Sequence, residues 1–173
     1  MTADVTIRHS ERRDSPALQD IEIAAGALFR TVGMDAIADA DPFTLDELAA
    51  YLAGGRSWVA VDTADRVVGY VVVDEVDGHA HVEQVSVVPE RQGEGIGAAL
   101  LDHVAAWASS GGREALTLTT FTDVPWNRPL YEHLGFRVLT DDELGPELRA
   151  VRAAEAAHGL DPAIRVCMRR DVA

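Results

Sequence analysis

The segment Val85-Ser86-Val87-Val88-Pro89-Glu90-Arg91-Gln92-Gly93-Glu94-Gly95-Ile96-Gly97-Ala98 joins a strand-like run to a helix-like run through three glycines at alternate positions. Glycines let a backbone turn sharply and approach a ligand closely. The unpaired N–H groups and positive dipole end of the following helix make such a turn an anion site suited to phosphate. A purely structural turn is the simpler alternative. A nucleoside-triphosphate loop is excluded, because no Gly-Lys-Ser/Thr follows. Gly93-x-Gly95-x-x-Ala98 has the letters of a dinucleotide fingerprint, but Pro89 to Gln92 separate it from its strand and antiparallel-type strands precede it. Upstream, His81, Glu83, Val85 and Val87 alternate onto one strand face, two proton acceptors and two apolar residues. His79 and His81 also share a face, but no third ligand follows at metal-site spacing, so no metal is expected.

Bulk properties narrow the partners. The chain has 173 residues, enough for one ordinary domain, and 47% hydrophobic with 25% charged residues is globular. Cys167 is the one cysteine, which rules out an intrachain disulfide and a cysteine metal cluster. A formal charge of −14 and a pI near 4.6 disfavour nucleic acid and membrane surfaces and suit a cationic substrate. Met1-Thr2-Ala3-Asp4-Val5 lacks a basic region followed by an apolar stretch, and Val67 to Val73 is too short to span a bilayer, so a soluble, cytoplasmic protein is expected.

Strand and helix patterns alternate along the chain. Strands are expected at Val5–Arg8, Ser57–Asp62, Arg66–Asp74, His79–Val88, Ala115–Phe121, Phe136–Leu139 and Ile164–Arg170. Helices are expected from Asp14, as a cap before Ser15-Pro16, to about Arg30; from Thr44, with Glu47 completing a capping box, to Ala53; at Gly95–Ser109; at Arg128–Leu134; and at Asp141–Ala157. The order predicts a single α/β domain over residues 1–173. Its sheet is mixed and mostly antiparallel, with flanking helices.

The pattern Gln92-x-x-Gly95-x-Gly97, preceded by Val87-x-Pro89, resembles the acetyl-CoA motif of the GNAT (Gcn5-related) N-acetyltransferase superfamily. The resemblance implies that Arg91, Gln92, Gly93, Gly95, Gly97 and Ala98 surround the pyrophosphate of coenzyme A. It implies that Val85 and Val87 meet pantetheine and the acetyl group, with the Val87 N–H facing the thioester oxygen, on a strand that often bulges away from its neighbour. Asn127-Arg128-Pro129-Leu130-Tyr131-Glu132-His133-Leu134-Gly135-Phe136 is similar to the family's second cofactor segment, which makes Tyr131 the acid that protonates departing CoA. The family's frequent asparagine seven residues before the tyrosine is Val124 here. The Asn127-x-Pro129-x-Tyr131 form resembles the puromycin-type branch, and Asn127 either caps its helix or bonds pantetheine. Trp126 lines a channel or packs in the core.

Amine acetylation needs a base, which in this family often lies near the start of the same strand. Glu83 is the first candidate and His81 the second; Glu83 also fits a substrate-cation contact or plain strand-edge solubility. The family's first helices wall the acceptor pocket. Glu22 and Phe29 are seven apart and share a helical face, with Gly26 between them and Asp35, Asp39 and Asp41 beyond. The implied activity is direct acetyl transfer from acetyl-CoA to a primary amine of a small, cationic acceptor, with no metal. Dimerisation is common in the family, which implies a homodimer, with the late strands as its candidate surface. The alternatives are a non-catalytic acyl-CoA sensor and an NAD-binding protein.

Overall fold

The computed structural model describes residues 4–172, so Met1–Ala3, at the chain start taken to lack an export signal, lie outside the described residues. The strands are β1 (Thr6–His9), β2 (Ser57–Val61), β3 (Val67–Val76), β4 (His79–Val87), β5 (Ala115–Phe121), β6 (Arg137–Val138) and β7 (Arg165–Asp171). The α-helices are α1 (Ser15–Gly26), α2 (Asp35–Ala38), α3 (Leu45–Ala53), α4 (Ile96–Ser110), α5 (Arg128–His133) and α6 (Pro146–Ala157). The strands form one seven-stranded sheet in the order β1-β2-β3-β4-β5-β7-β6. Its pairings β1–β2, β2–β3, β5–β7 and β6–β7 are antiparallel and β4–β5 is parallel, which is the mixed α/β architecture expected. Among the described residues no helix is long and apolar enough to cross a membrane.

The chain divides into two compact units. One runs to Val73 and resumes from Gln84 to His103; the other takes Asp74–Glu83 and the chain from Val104 onward. In the first, Leu18 and Ile21 of α1 and Leu48 of α3 pack on Val59, Val61, Tyr70 and Val72. Glycine at position 69 lets α4 sit close on β3. A Cβ there would stand 3.1 Å from the Ser86 carbonyl and 3.3 Å from Ile96 Cγ2 and Leu100 Cδ1. Gly69→Ala is therefore expected to cost about 1–3 kcal/mol by overpacking, read as a lower urea midpoint at unchanged slope. In the second unit Val76, Leu148 and Cys167 form the core with Leu139, Leu144 and Val151.

Thr44 caps α3 as expected: its hydroxyl accepts from the Glu47 N–H at 3.1 Å while the Glu47 carboxylate accepts from the Thr44 N–H at 3.1 Å. Other boundaries moved. Asp14 precedes α1 but makes no side-chain cap bond. Its carboxylate accepts from Arg8 at 2.8 Å and from the Glu11 N–H at 2.7 Å instead. The helix expected to reach Arg30 ends at Gly26, and a 3₁₀ segment, Ala27–Val32, follows. The α pitch that placed Glu22 and Phe29 on one face therefore does not continue to Phe29. The helix expected from Asp141 begins at Pro146, because a residue before proline avoids helical dihedrals and Gly145 is extended at φ −72°, ψ 171°. Its cap comes from far away in sequence: the Asp77 carboxylate accepts from the Glu147 and Leu148 N–H groups, both at 2.9 Å.

The β3–β4 connection shapes the rest. Asp77 and Gly78 both have positive φ, 52° and 76°, as a two-residue type I′ turn requires. That turn sets Val76 opposite His79. At the far end the Val88 N–H bonds the Val68 carbonyl at 2.9 Å, one residue out of that register. β4 therefore carries an extra residue, a bulge, between its two ends.

Candidate active site

The bulge changes which side chains of β4 work together. His81 and Glu83 share the face of β3 that carries Asp74. Past the bulge Ser86 takes the corresponding face, that of Tyr70, and accepts from the Gln84 amide at 2.8 Å. Val87 turns to the other face, its Cγ2 3.9 Å from where a Cβ on Gly97 would be, and Val85 accompanies it by alternation. The expected single face of His81, Glu83, Val85 and Val87 thus breaks into two pairs. The parallel β4–β5 ladder comprises Ala80–Leu116 and His81–Thr117, whereas β5 pairs with β7 from Ala115 to Phe121. β4 leaves β5 after His81.

In the first unit, β4 leads into the glycine turn. Pro89–Arg91 form a 3₁₀ turn, the Gln92 amide donates to the Val87 carbonyl at 3.3 Å, and Gly93 and Gly95 take φ of 85° and 83°. Only glycine holds these dihedrals without strain. The Ala99 N–H bonds the Gly95 carbonyl at 3.0 Å, so the amides of Ile96, Gly97 and Ala98 precede the first α-helical bond and have no partner within the helix. The turn therefore presents donors at the positive end of a fifteen-residue helix. Among the described residues, nothing beyond their own chain neighbours lies within 4 Å of a Cβ built on Gly93 or Gly95. Arg91 is already engaged: its guanidinium donates to the Glu94 carboxylate at 2.9 and 3.1 Å. A ligand phosphate must compete with that carboxylate. Glu94→Gln is expected to tighten binding of anionic nucleotide ligands, measured by calorimetry at two salt concentrations, with the gain shrinking at the higher salt because both groups are exposed.

The same unit holds Glu22. Its carboxylate accepts from the Phe43 N–H at 3.1 Å and from the Tyr70 hydroxyl at 3.1 Å. Burial is the main force raising its pKa above the ordinary carboxylate value, and these bonds oppose the rise. Gln19 bonds the Phe43 carbonyl at 2.9 Å, so α1 grips the segment before α3 twice. Phe29 is half-buried on the 3₁₀ segment; Asp35, Asp39 and Asp41 are exposed, and Asp39 pairs with Arg30.

In the second unit, His81 is 1% exposed. Its Nδ1 meets Thr117 Oγ1 at 2.9 Å and its Nε2 lies 3.8 Å from Glu83 Oε2. Burial depresses its pKa, keeping the ring neutral. Glu83 keeps 39% of its side chain open, yet its carboxyl is pushed up to about 7. Desolvation is the largest cause, followed by the Asp74 and Glu155 charges and a hydrogen bond with Asp74, with Arg165 opposing. The carboxyl is partly desolvated by its neighbours yet reachable from solvent. Glu155 accepts from Thr119 Oγ1 at 2.5 Å and from Arg165 at 3.3 Å, and Arg165 also donates to Thr119 at 2.9 Å. His79, two residues before His81 and on the same face, accepts from Arg169 at 3.2 Å. Among the described residues no three His, Cys, Asp or Glu side chains group to hold a metal.

Tyr131 sits on α5, half-buried. Burial pushes its phenol up to about 12. The Phe136 N–H bonds the Tyr131 carbonyl at 3.0 Å across Gly135 at φ 93°, and the two rings meet edge-on at 5.7 Å. The Tyr-x-x-x-Gly-Phe spacing is thus a Schellman helix stop with its apolar contact, which locks the tyrosine backbone. Asn127 makes no cap bond. Its Oδ1 accepts from Thr120 Oγ1 at 2.7 Å and the Phe121 N–H at 3.3 Å, tying the start of α5 to the end of β5. Trp126 is half-buried beside the buried Val124. Sequence reasoning missed Asp74, Glu155, Arg165, Tyr70 and Ser86; the one local signal was an acidic residue, Asp74, directly after a valine run.

The fold recurs in solved structures. A GNAT-family acetyltransferase of Staphylococcus aureus Mu50 superimposes with TM-score 0.73 at 17% identity, over 98% of this chain and 99% of that one. The ribosomal-protein-S18-alanine N-acetyltransferase of Escherichia coli gives 0.66 at 20% identity, over 98% and 94%. The paia N-acetyltransferase of Thermoplasma acidophilum, solved in complex with coenzyme A, gives 0.70 at 13% identity, over 96% and 98%. At these identities the likeness concerns the fold. Residues 25–136, which carry α3, the glycine turn and the Tyr131–Phe136 helix stop, match the sequence pattern of the acetyltransferase (GNAT) family. With that match spanning well over half of its length, the chain belongs to the GNAT acetyltransferase family.

Proposed function

We propose that the protein transfers an acetyl group from acetyl-CoA directly to a primary amine of a small, cationic acceptor. The observation that carries this reading is the glycine turn, whose positive-φ glycines expose helix-start amides to an anionic ligand in a chain of this family. Arg91, Gln92, Gly93, Gly95, Gly97 and Ala98 would hold the pyrophosphate. The edge of β4 released after His81 would pair with the pantetheine amides, as an extended ligand pairs with a sheet edge. Asn127, engaged with β5 through its carbonyl, keeps its amide nitrogen for the same arm, and its Asn-x-Pro-x-Tyr setting supports a place near the puromycin-type branch.

In this mechanism Glu83 takes a proton from the acceptor ammonium, directly or through water. The free amine attacks the thioester carbon. The Val87 N–H stabilises the oxyanion. As the C–S bond breaks, Tyr131 donates its proton to the thiolate, and the products are the amide and CoA. Glu22 contributes negative charge toward the acceptor, with Phe29 and Trp126 as apolar wall.

Calorimetric titration with acetyl-CoA, with NAD in parallel, is the first test. Saturable acetyl-CoA binding without an NAD response is expected. CoA release is then measured with putrescine, tyramine, lysine and a short alanine-starting peptide. Binding without release for any amine would favour a sensor; NAD binding alone would return the turn to a dinucleotide role.

A further inference from the structure

The second unit encloses a cavity of about 150 Å³ bounded by the sheet, the β3–β4 turn and the start of α6. A clasp between distant segments holds it closed on one side. The Asp77 carboxylate accepts from the Glu147 and Leu148 N–H groups, and the Glu147 carboxylate accepts from the Asp77 N–H at 2.6 Å. A Cβ on Gly145 would stand 2.4 Å from the Asp77 carboxyl, so glycine lets the clasp close. Val76, Leu139 and Leu148 give the cavity an apolar wall, and His79 and Arg169 give it a polar one. Arg169 Nη1 stands 3.2 Å from His79 Nε2. A guanidinium only donates, so Nε2 accepts and the ring proton is on Nδ1. That Nδ1–H is buried and has no hydrogen-bond partner among the described residues. Arg169 gives its Nε to Asp171 at 2.7 Å, and among the described residues its Nη2 makes no hydrogen bond. We propose that this cavity binds a short-chain monocarboxylate, with the alkyl tail against the apolar wall and the carboxylate accepting from His79 Nδ1–H and Arg169.

The chemistry of the walls selects this ligand. A buried donor without an acceptor is unfavourable, and a ligand that brings the acceptor removes the penalty. The guanidinium beside it favours a charged acceptor, because charge-assisted bonds to a carboxylate are stronger than neutral ones. The protein's own carboxylates at the cavity are committed elsewhere. Asp77 caps α6, and Glu143 accepts from Arg137 at 2.7 Å and from the Thr140 N–H at 3.1 Å. Their charges oppose a second negative group, so a monocarboxylate fits and a dicarboxylate does not. Size limits the tail: an apolar cavity of about 150 Å³ takes one molecule the size of benzene. None of the residues that would touch this ligand takes part in the acetyl-transfer reading, so the site stands or falls apart from it.

Histidine ¹⁵N NMR of the intact protein, titrated with sodium butyrate, is the test, with 1-butanol and butylamine in parallel. Butyrate should shift the His79 ring signals saturably, with a Kd of roughly millimolar for so small a ligand. Neither the alcohol nor the amine should saturate them. Arg169→Met should weaken butyrate at least about tenfold, read from the Leu139 and Leu148 methyl signals. His79→Phe, which keeps a ring in the wall but no N–H, should weaken it as well. No saturation by about 100 mM, butanol binding as tightly as butyrate, or shifts confined to the glycine turn would overturn the proposal. So would undiminished affinity in Arg169→Met. If a variant fails to fold, the wild-type titration and its two parallels decide alone.

Discussion

Tyr131→Phe is expected to lower kcat by about 10²–10³-fold, equivalent to roughly 3–4 kcal/mol, with acetyl-CoA affinity unchanged. The substitution removes one hydroxyl and leaves the ring that packs edge-on with Phe136. It also leaves the backbone bonds that close α5 around Gly135. The loss therefore falls on proton donation and not on folding. A phenol held at about 12 stays protonated through neutral and moderately alkaline pH, so the acid form is present wherever the protein works. Its proton becomes easier to give as the departing thiolate, shielded from water, grows more basic than it is in solution. No alkaline limb below about pH 10 should come from this residue. The measurement is single-turnover CoA release, so that chemistry and product release are separated. Unchanged single-turnover rates in Tyr131→Phe would remove it from the acid role.

Glu83→Gln should produce the second large effect: a fall of about 10²-fold in kcat/KM at pH 8 and loss of the acidic limb. The sign follows from the raised pKa. Below about 7 the Glu83 carboxyl is protonated and cannot accept the amine proton; above it the carboxylate is available. Wild-type kcat/KM should therefore fall tenfold per unit as pH drops below about 7, while the glutamine variant runs flat through that range. His81 gives a distinct signature. Its pKa is depressed by burial, so a His81-based limb would lie below the usual histidine value and would survive in Glu83→Gln. The pH profile of that variant separates the two candidate bases, with calorimetry confirming that acetyl-CoA still binds.

The chemistry of single segments was legible without coordinates because it depends on local geometry. The Thr44–Glu47 capping box, the Asp77-Gly78 turn, the Gly93 and Gly95 dihedrals and the Gly135 stop before Phe136 each involve neighbours within a few residues. The residue types leave each of them few alternatives. Valine-rich runs closed by turn residues marked β2, β3 and β4, and β5 appears at Ala115–Phe121 as its pattern predicted. From those segments come the family, the mixed sheet and the helix-start amides that the turn exposes.

What tertiary structure alone decided are the relations between distant segments. One added residue in β4 moves Val85 and Val87 off the face of Glu83, and alternation counted along the sequence cannot register a bulge. Asn127 looks like a helix cap, yet the Phe121 N–H and the Thr120 hydroxyl claim its carbonyl. Asp77, seventy residues upstream, caps α6 in place of the residues beside it. Glu83 sits among Asp74, Glu155 and Arg165, drawn from three other elements, and its elevated pKa is a property of that group. A dihedral preference is carried by the residue itself. A charge environment is made only when the sheet and α6 bring carboxylates together that the chain keeps far apart.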